Sequence, residues 1–166
     1  DYLIAIGNNL LELDTIYDPE PKGWISLINV TVISDTMNPI DYEIITDEVL
    51  ALSVVDTFAF VAGRKNDLMV YNFSDTNNIV LDTSLQIESI STYSITVDDT
   101  MLYIAGYRGI NVLNIADLDS IYSVAHYYDN NYLFRDLCVQ DSFVISFVEP
   151  TDPADSCQVW ILKANP

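Results

Sequence analysis

The stretch Leu50–Asn78, LALSVVDTFAFVAGRKNDLMVYNFSDTNN, decides how the rest of the chain is read. It separates into Leu50–Val55, Phe58–Gly63 and Leu68–Phe73, with polar breaks at Arg64–Asp67 and Ser74–Asn78. Short apolar runs rich in Val, Phe and Tyr, bounded by turn residues, suit strands and are too short for stable helices.

The same pattern returns along the chain. Shifted by 43 residues, Leu52-Ser-Val-Val-Asp-Thr57 falls on Ile95-Thr-Val-Asp-Asp-Thr100, and Phe58, Phe60, Ala62 and Gly63 fall on Met101, Tyr103, Ala105 and Gly106. A further shift of 42 brings Leu137, Val139, Asp141, Ser142, Phe143 and Ile145 to those places. The third strand repeats as Val70–Phe73, Val112–Ile115 and Val159–Leu162, and an earlier copy reads Tyr2–Gly7 with Leu27–Val30. Self-similarity at such a period marks an array of supersecondary units. Fourth strands are expected at Ile40–Ile45, Ile79–Leu85 and Ile121–Tyr128, and no long stretch has helical apolar spacing.

The expected fold is therefore all-β: a β-propeller, or an arc of one, with four blade-like repeats of short antiparallel strands. Their bounds are about 1–48, 49–89, 90–131 and 132–166, within a single domain over 1–166. The first copy lacks its opening strand and the last its closing strand. With no initiating Met and a start directly on a strand, the sequence reads as a mature form or an excerpt, the remainder of a longer propeller chain being one expected partner.

One insertion interrupts the pattern. Residues 8–23 occupy the place that Arg64–Asp67 fills in the next copy, and they carry Glu12, Asp14, Asp18 and Glu20. Long loops in repeat proteins gather on one face, and long loops carry function more often than short ones. These four acidic residues are the candidates for an interaction loop, beside the plainer reading of a solvated surface loop.

Charge narrows the partners. There are 25 acidic residues against 6 basic ones, giving a net charge of −19, while half the residues are hydrophobic and mean hydropathy is +0.21. The chain is thus not disordered by composition. Nucleic acid is excluded as a partner, because phosphate contacts need Lys and Arg. No apolar run is long enough for a transmembrane helix. Acidity serves solubility in the ordinary reading, and cation or basic-partner binding in the sharper one.

Leu68-Met-Val-Tyr-Asn-Phe-Ser-Asp-Thr-Asn-Asn78 and Ile110-Asn-Val-Leu-Asn-Ile-Ala-Asp-Leu-Asp119 resemble the LVIVD-type propeller repeat, and Leu52–Gly63 and Ile95–Gly106 resemble its preceding strands. The strand-ending Asp of that repeat is Asn29, Asn72 and Asn114 here, and Ile161 in the last copy; the turn proline stands only at Pro39 and Pro166. The resemblance implies a secreted or cell-surface protein without catalytic residues. A non-enzymatic interaction module presenting loops on a rigid scaffold is the expected function. A structural subunit of an extracellular assembly or filament, and an enzyme or ligand-binding propeller with a site at the channel mouth, are the alternatives.

The residues themselves hold few chemical motifs. No Gly-rich phosphate loop, Gly-x-Ser-x-Gly or His-Glu-x-x-His is present. His126 stands alone on a fourth strand and reads as an ordinary strand histidine. Asp98 and Asp99, and Asp152 and Asp155, are the candidates for calcium, which needs several converging oxygens. Asp56, Asp99 and Asp141 share one repeat position, where turn capping competes with an acidic ring near a channel mouth. Asn29-Val-Thr31 and Asn72-Phe-Ser74 fit the glycosylation sequon, although both asparagines stand where a strand end needs a cap. Trp24 and Trp160 read as packing between units. Cys138 and Cys157 fall on strands about 9–10 Å apart, which favours free thiols. Tyr107-Arg-Gly109 reads as a hairpin turn in which Gly109 supplies a positive φ.

Overall fold

Apolar and polar residues alternate along most of the runs, and each run folds as a strand. The computed structural model describes residues 2–8, 23–29, 39–45, 48–64, 67–87 and 91–163. Among them every regular element is a β-strand apart from one 3-10 turn, Leu118–Ser120. No helix of the described residues is long and apolar enough to cross a membrane. The insertion with Glu12, Asp14, Asp18 and Glu20, and the turn cluster before Pro39, lie outside the described residues. The chain divides into two compact units, residues 1–86 and 87–166.

Unit one contains two antiparallel sheets. The first has the order β1 (Tyr2–Asn8), β2 (Gly23–Asn29), β3 (Pro39–Ile45). The second has the order β4 (Val49–Val55), β5 (Phe58–Gly63), β6 (Asp67–Asn72), β7 (Val80–Gln86). Period-two alternation sends Ala59 and Val61 of β5, and Met69 and Tyr71 of β6, into one core with Ile25 and Leu27 of β2. Ile79, just before β7, is buried in the same core, and its backbone N–H donates to Asp41 Oδ2 at 2.7 Å. Each such aliphatic side chain contributes about 1.5–3 kcal/mol on burial.

Unit two is one antiparallel sheet by strand pairing. Its order is β12 (Gln158–Lys163), β11 (Phe143–Pro150), β10 (Tyr122–Gln140), β9 (Met101–Asn114), β8 (Thr92–Asp98). Two of these strands are composite. A straight strand of β9's length would span more than about 40 Å, yet Ile115 N–H donates to Thr100 O at 2.8 Å. The chain must therefore reverse inside β9. The reversal falls at Tyr107–Arg108, where Arg108 has φ 73°. In β10, residues 122–128 pair with the second half of β9, three strands from β8. Asp136, by contrast, accepts from Ser94 Oγ at 2.8 Å, and the Arg135 guanidinium lies 4.4 Å from the Tyr93 ring centroid, both partners being on β8. β10 therefore passes from the outer edge of one strand group to the start of the next.

Gly109 corrects one expectation. No described glycine has a positive φ, and the left-handed residue of this turn is Arg108. Gly109 is needed for space instead: a Cβ there would stand 2.1 Å from Tyr127 O, on the strand that pairs with it.

The repeat is written in the backbone. One extra residue interrupts pairing at Leu50 on β4, Tyr93 on β8 and Arg135 on β10, at intervals of 43 and 42 residues. A second series of bulges falls at Ile40, Asp82 and Val124, at intervals of 42. Bulges bend a strand and raise its twist; the second and third repeats carry one of each series, and the first and last carry one bulge each. The hairpin turns after the first strands recur too. Asp56, Asp99 and Asp141 have φ of 52°, 52° and 55°. Asp is among the few non-glycine residues that tolerate that region.

Candidate functional site

The site is a groove of about 510 Å³ in unit two. Its floor is apolar and comes from the two arms of the β9 hairpin: Met101 and Tyr103 on one, Ile110 and Val112 on the other. Opposite stand Val144 of β11 and Leu162 of β12. Its rim is polar, with His126 from β10, Asp141 and Ser142 from the β10–β11 turn, and Lys163 from the end of β12. The floor residues belong to the same buried cluster as Ala105, Phe134, Leu137 and Val148, so the groove is an open end of that core.

An aromatic group backs the groove. Trp160 packs on Tyr132 at 4.7 Å, Phe134 at 5.7 Å and Tyr127 at 6.0 Å between ring centroids, the last two edge-on. Its indole N–H donates to Gln158 Oε1 at 2.7 Å. Trp160 thus acts in packing, as its position in a third strand suggests. Burial, with Asp98 nearby, pushes the Tyr103 phenol above its ordinary pKa. Tyr127 moves the same way through desolvation, then Asp129 and Tyr132. Both phenols stay protonated at neutral pH. Chemically the groove can enclose an aliphatic or aromatic side chain, with polar groups confined to its mouth.

Several residues singled out in the sequence have defined places. His126 lies 5.1 Å from the Tyr128 ring and shares the groove rim with Ser142 and Asp141. A hydrolytic site needs a hydrogen bond between nucleophile and base, and no such bond joins His126 to Ser142 among the described residues. Asp98 ends β8 and Asp99 opens the following turn. Asp152 lies in the β11–β12 loop, where Oδ1 accepts from Ala154 N–H at 2.9 Å, and its carbonyl accepts from Asp155 N–H at 3.1 Å. Among the described residues no three His, Cys, Asp or Glu side chains converge as a ligand set.

Asn72 and Asn114 cap their strand ends: Oδ1 accepts from the backbone N–H of Ser74 at 2.8 Å and of Ala116 at 3.0 Å. The Asn29 side chain and Thr31 lie outside what is described. Cys138 and Cys157 are free and exposed. The groove itself was not legible as a motif, because its lining comes from four strands and a turn. Neither a protein-family model nor a curated protein sequence matches the chain.

Proposed function

We propose that the chain is a β-propeller, or an arc of one, built from four LVIVD-like repeats. In this reading it serves as a non-enzymatic interaction module, secreted or displayed at a cell surface, that presents loops on a rigid scaffold. The observation that carries the reading is the double series of bulges at a spacing of 42 to 43 residues, together with the aspartate turns that recur at the same spacing at the other end of the first strands. Strand groups that bend at the same places suit radial repetition. The −19 charge favours a partner with a basic surface.

Residues 9–22 are the proposed contact loop. They join β1 to β2, whose pairing is continuous to Asn8↔Gly23. The test exchanges them for Arg64–Asp67, the short connection of the next repeat, and compares binding to the surface of the cells that produce the protein. Loss of binding with an unchanged far-ultraviolet spectrum is expected. Undiminished binding by the shortened protein would refute the loop's role.

The structural-subunit reading has one observation in its favour. Phe143, Phe147, Val159 and Ile161 form an exposed apolar row on β11 and β12, with Phe147 opposite Val159. Their repeat counterparts on β5 and β6 include Ala62 and Val70, which are buried. Sedimentation velocity over a wide concentration range tests it. A mass that stays at one chain would remove this second reading.

A further inference from the structure

Of the two asparagine sequons, Asn72-Phe73-Ser74 lies wholly among the described residues, where β6 runs out into the turn before β7. Strand alternation sorts its three side chains. Phe73 is partly buried and packs on the core that holds Tyr71, and its backbone N–H donates to Thr57 O at 2.9 Å. Asn72 is half-buried on the opposite face. Ser74 is exposed, as is the turn after it through Asn78. The middle residue is thus the anchor, and the amide and hydroxyl that the motif needs are left toward the surface.

The Asn72 amide divides its two ends between two tasks. Oδ1 accepts from Ser74 N–H at 2.8 Å and caps the strand. Nothing among the described residues accepts from Nδ2. An oligosaccharide on Nδ2 would turn the primary amide into a secondary one and leave Oδ1 as an acceptor, so the cap and the modification are compatible.

The next repeat has the cap without the motif. Asn114 Oδ1 accepts from Ala116 N–H at 3.0 Å, and no hydroxyl stands there. The turn therefore folds with alanine in the place of Ser74. The Ser74 hydroxyl has no hydrogen-bond partner among the described residues, so capping accounts for the asparagine and leaves the serine unexplained. Asn29-Val-Thr31 holds the same repeat position, again with a hydroxyl.

We infer that Asn72 is an acceptor site for an asparagine-linked oligosaccharide. In the transfer, Nδ2 attacks the anomeric carbon of a sugar carried on a polyprenyl diphosphate. The C–N bond forms as the anomeric C–O bond breaks, the diphosphate leaves with the electron pair, and the amide gives up one proton. The inference rests on the secreted or cell-surface reading, because that donor is met on the way out of the cell.

The test reads Asn72 by peptide mass. An amidase releases the oligosaccharide in heavy-oxygen water and leaves a labelled aspartate at an occupied position. The protein is recovered separately from outside and inside the cells that produce it. Label at position 72 in the outside fraction is expected. An unlabelled Asn72 in that fraction overturns the site and leaves the secreted reading standing. Protein found only inside overturns the secreted reading. The site is then judged on the full 166-residue chain, sent through a eukaryotic secretory pathway behind a cleavable leader. There the wild type and Ser74→Thr should be occupied. Ser74→Ala should lose occupancy with an unchanged far-ultraviolet spectrum, since Ala116 supports the same cap. A bare Asn72 in the secreted wild type, or equal occupancy in Ser74→Ala, overturns the site.

Discussion

Removing the three turn aspartates separates backbone conformation from carboxylate chemistry. Asp56, Asp99 and Asp141 hold φ near +50° in the first position of two-residue hairpin loops. An ordinary L-residue in the left-handed region costs about 1–2 kcal/mol, with Asp at the low end and glycine free of the penalty. Asp→Ala should therefore cost about 0.5–1 kcal/mol at each turn, and Asp→Gly should be neutral or slightly stabilising. The sites lie in separate hairpins, so their effects add. The triple alanine variant should lose about 2 kcal/mol, which for a chain of this size lowers the melting temperature by about 4–8 °C. Unit two, with two of the three turns, should carry the larger part. The assay is thermal unfolding of wild type, triple Ala and triple Gly, each with calcium and with chelator. The expected order is triple Gly equal to or above wild type, and triple Ala below both, in either buffer. A triple Gly variant as unstable as triple Ala would refute the reasoning, because the carboxylates would then stabilise the fold directly. A calcium-dependent rise in melting temperature, present in wild type and lost in triple Gly, would instead restore the acidic-ring reading.

Two further predictions use the repeat and the burial of titratable groups. Thr92 is fully buried, and its hydroxyl has no hydrogen-bond partner among the described residues. Its repeat counterparts are Val49 and Phe134, so Thr92→Val should stabilise the protein by about 1 kcal/mol in urea unfolding, and a loss of stability would reveal a hidden partner. Tyr71 is 4% exposed, and burial, with Glu43 nearby, pushes its pKa up to about 12. The folded state thus holds the phenolic proton more tightly than the unfolded chain. The resulting stability is complete below about pH 10 and is lost as pH rises toward 12. Tyr71→Phe should flatten the stability curve in that window by about 2–3 kcal/mol, and an unchanged alkaline slope would refute the assignment.

The period of the fold was legible because turn chemistry is local. Asp at the hairpin turns and Asn at the third-strand ends are chosen by backbone groups one or two residues away, so they recur as letters in the sequence. The bulges were not legible. Leu50, Tyr93 and Arg135 share a role but no chemistry, as do Ile40, Asp82 and Val124, because a bulge is set by pairing across the ladder and leaves its own side chain free to vary. Gly109 was legible as a required glycine and was assigned the wrong requirement: close approach to Tyr127 O and a positive φ leave the same mark on a sequence. The groove lies at the far end of this scale. It exists because Met101, Val112, Val144 and Leu162 converge from distant strands, so no local run of sequence marks it, and only the pairing of β9 through β12 brings its lining together.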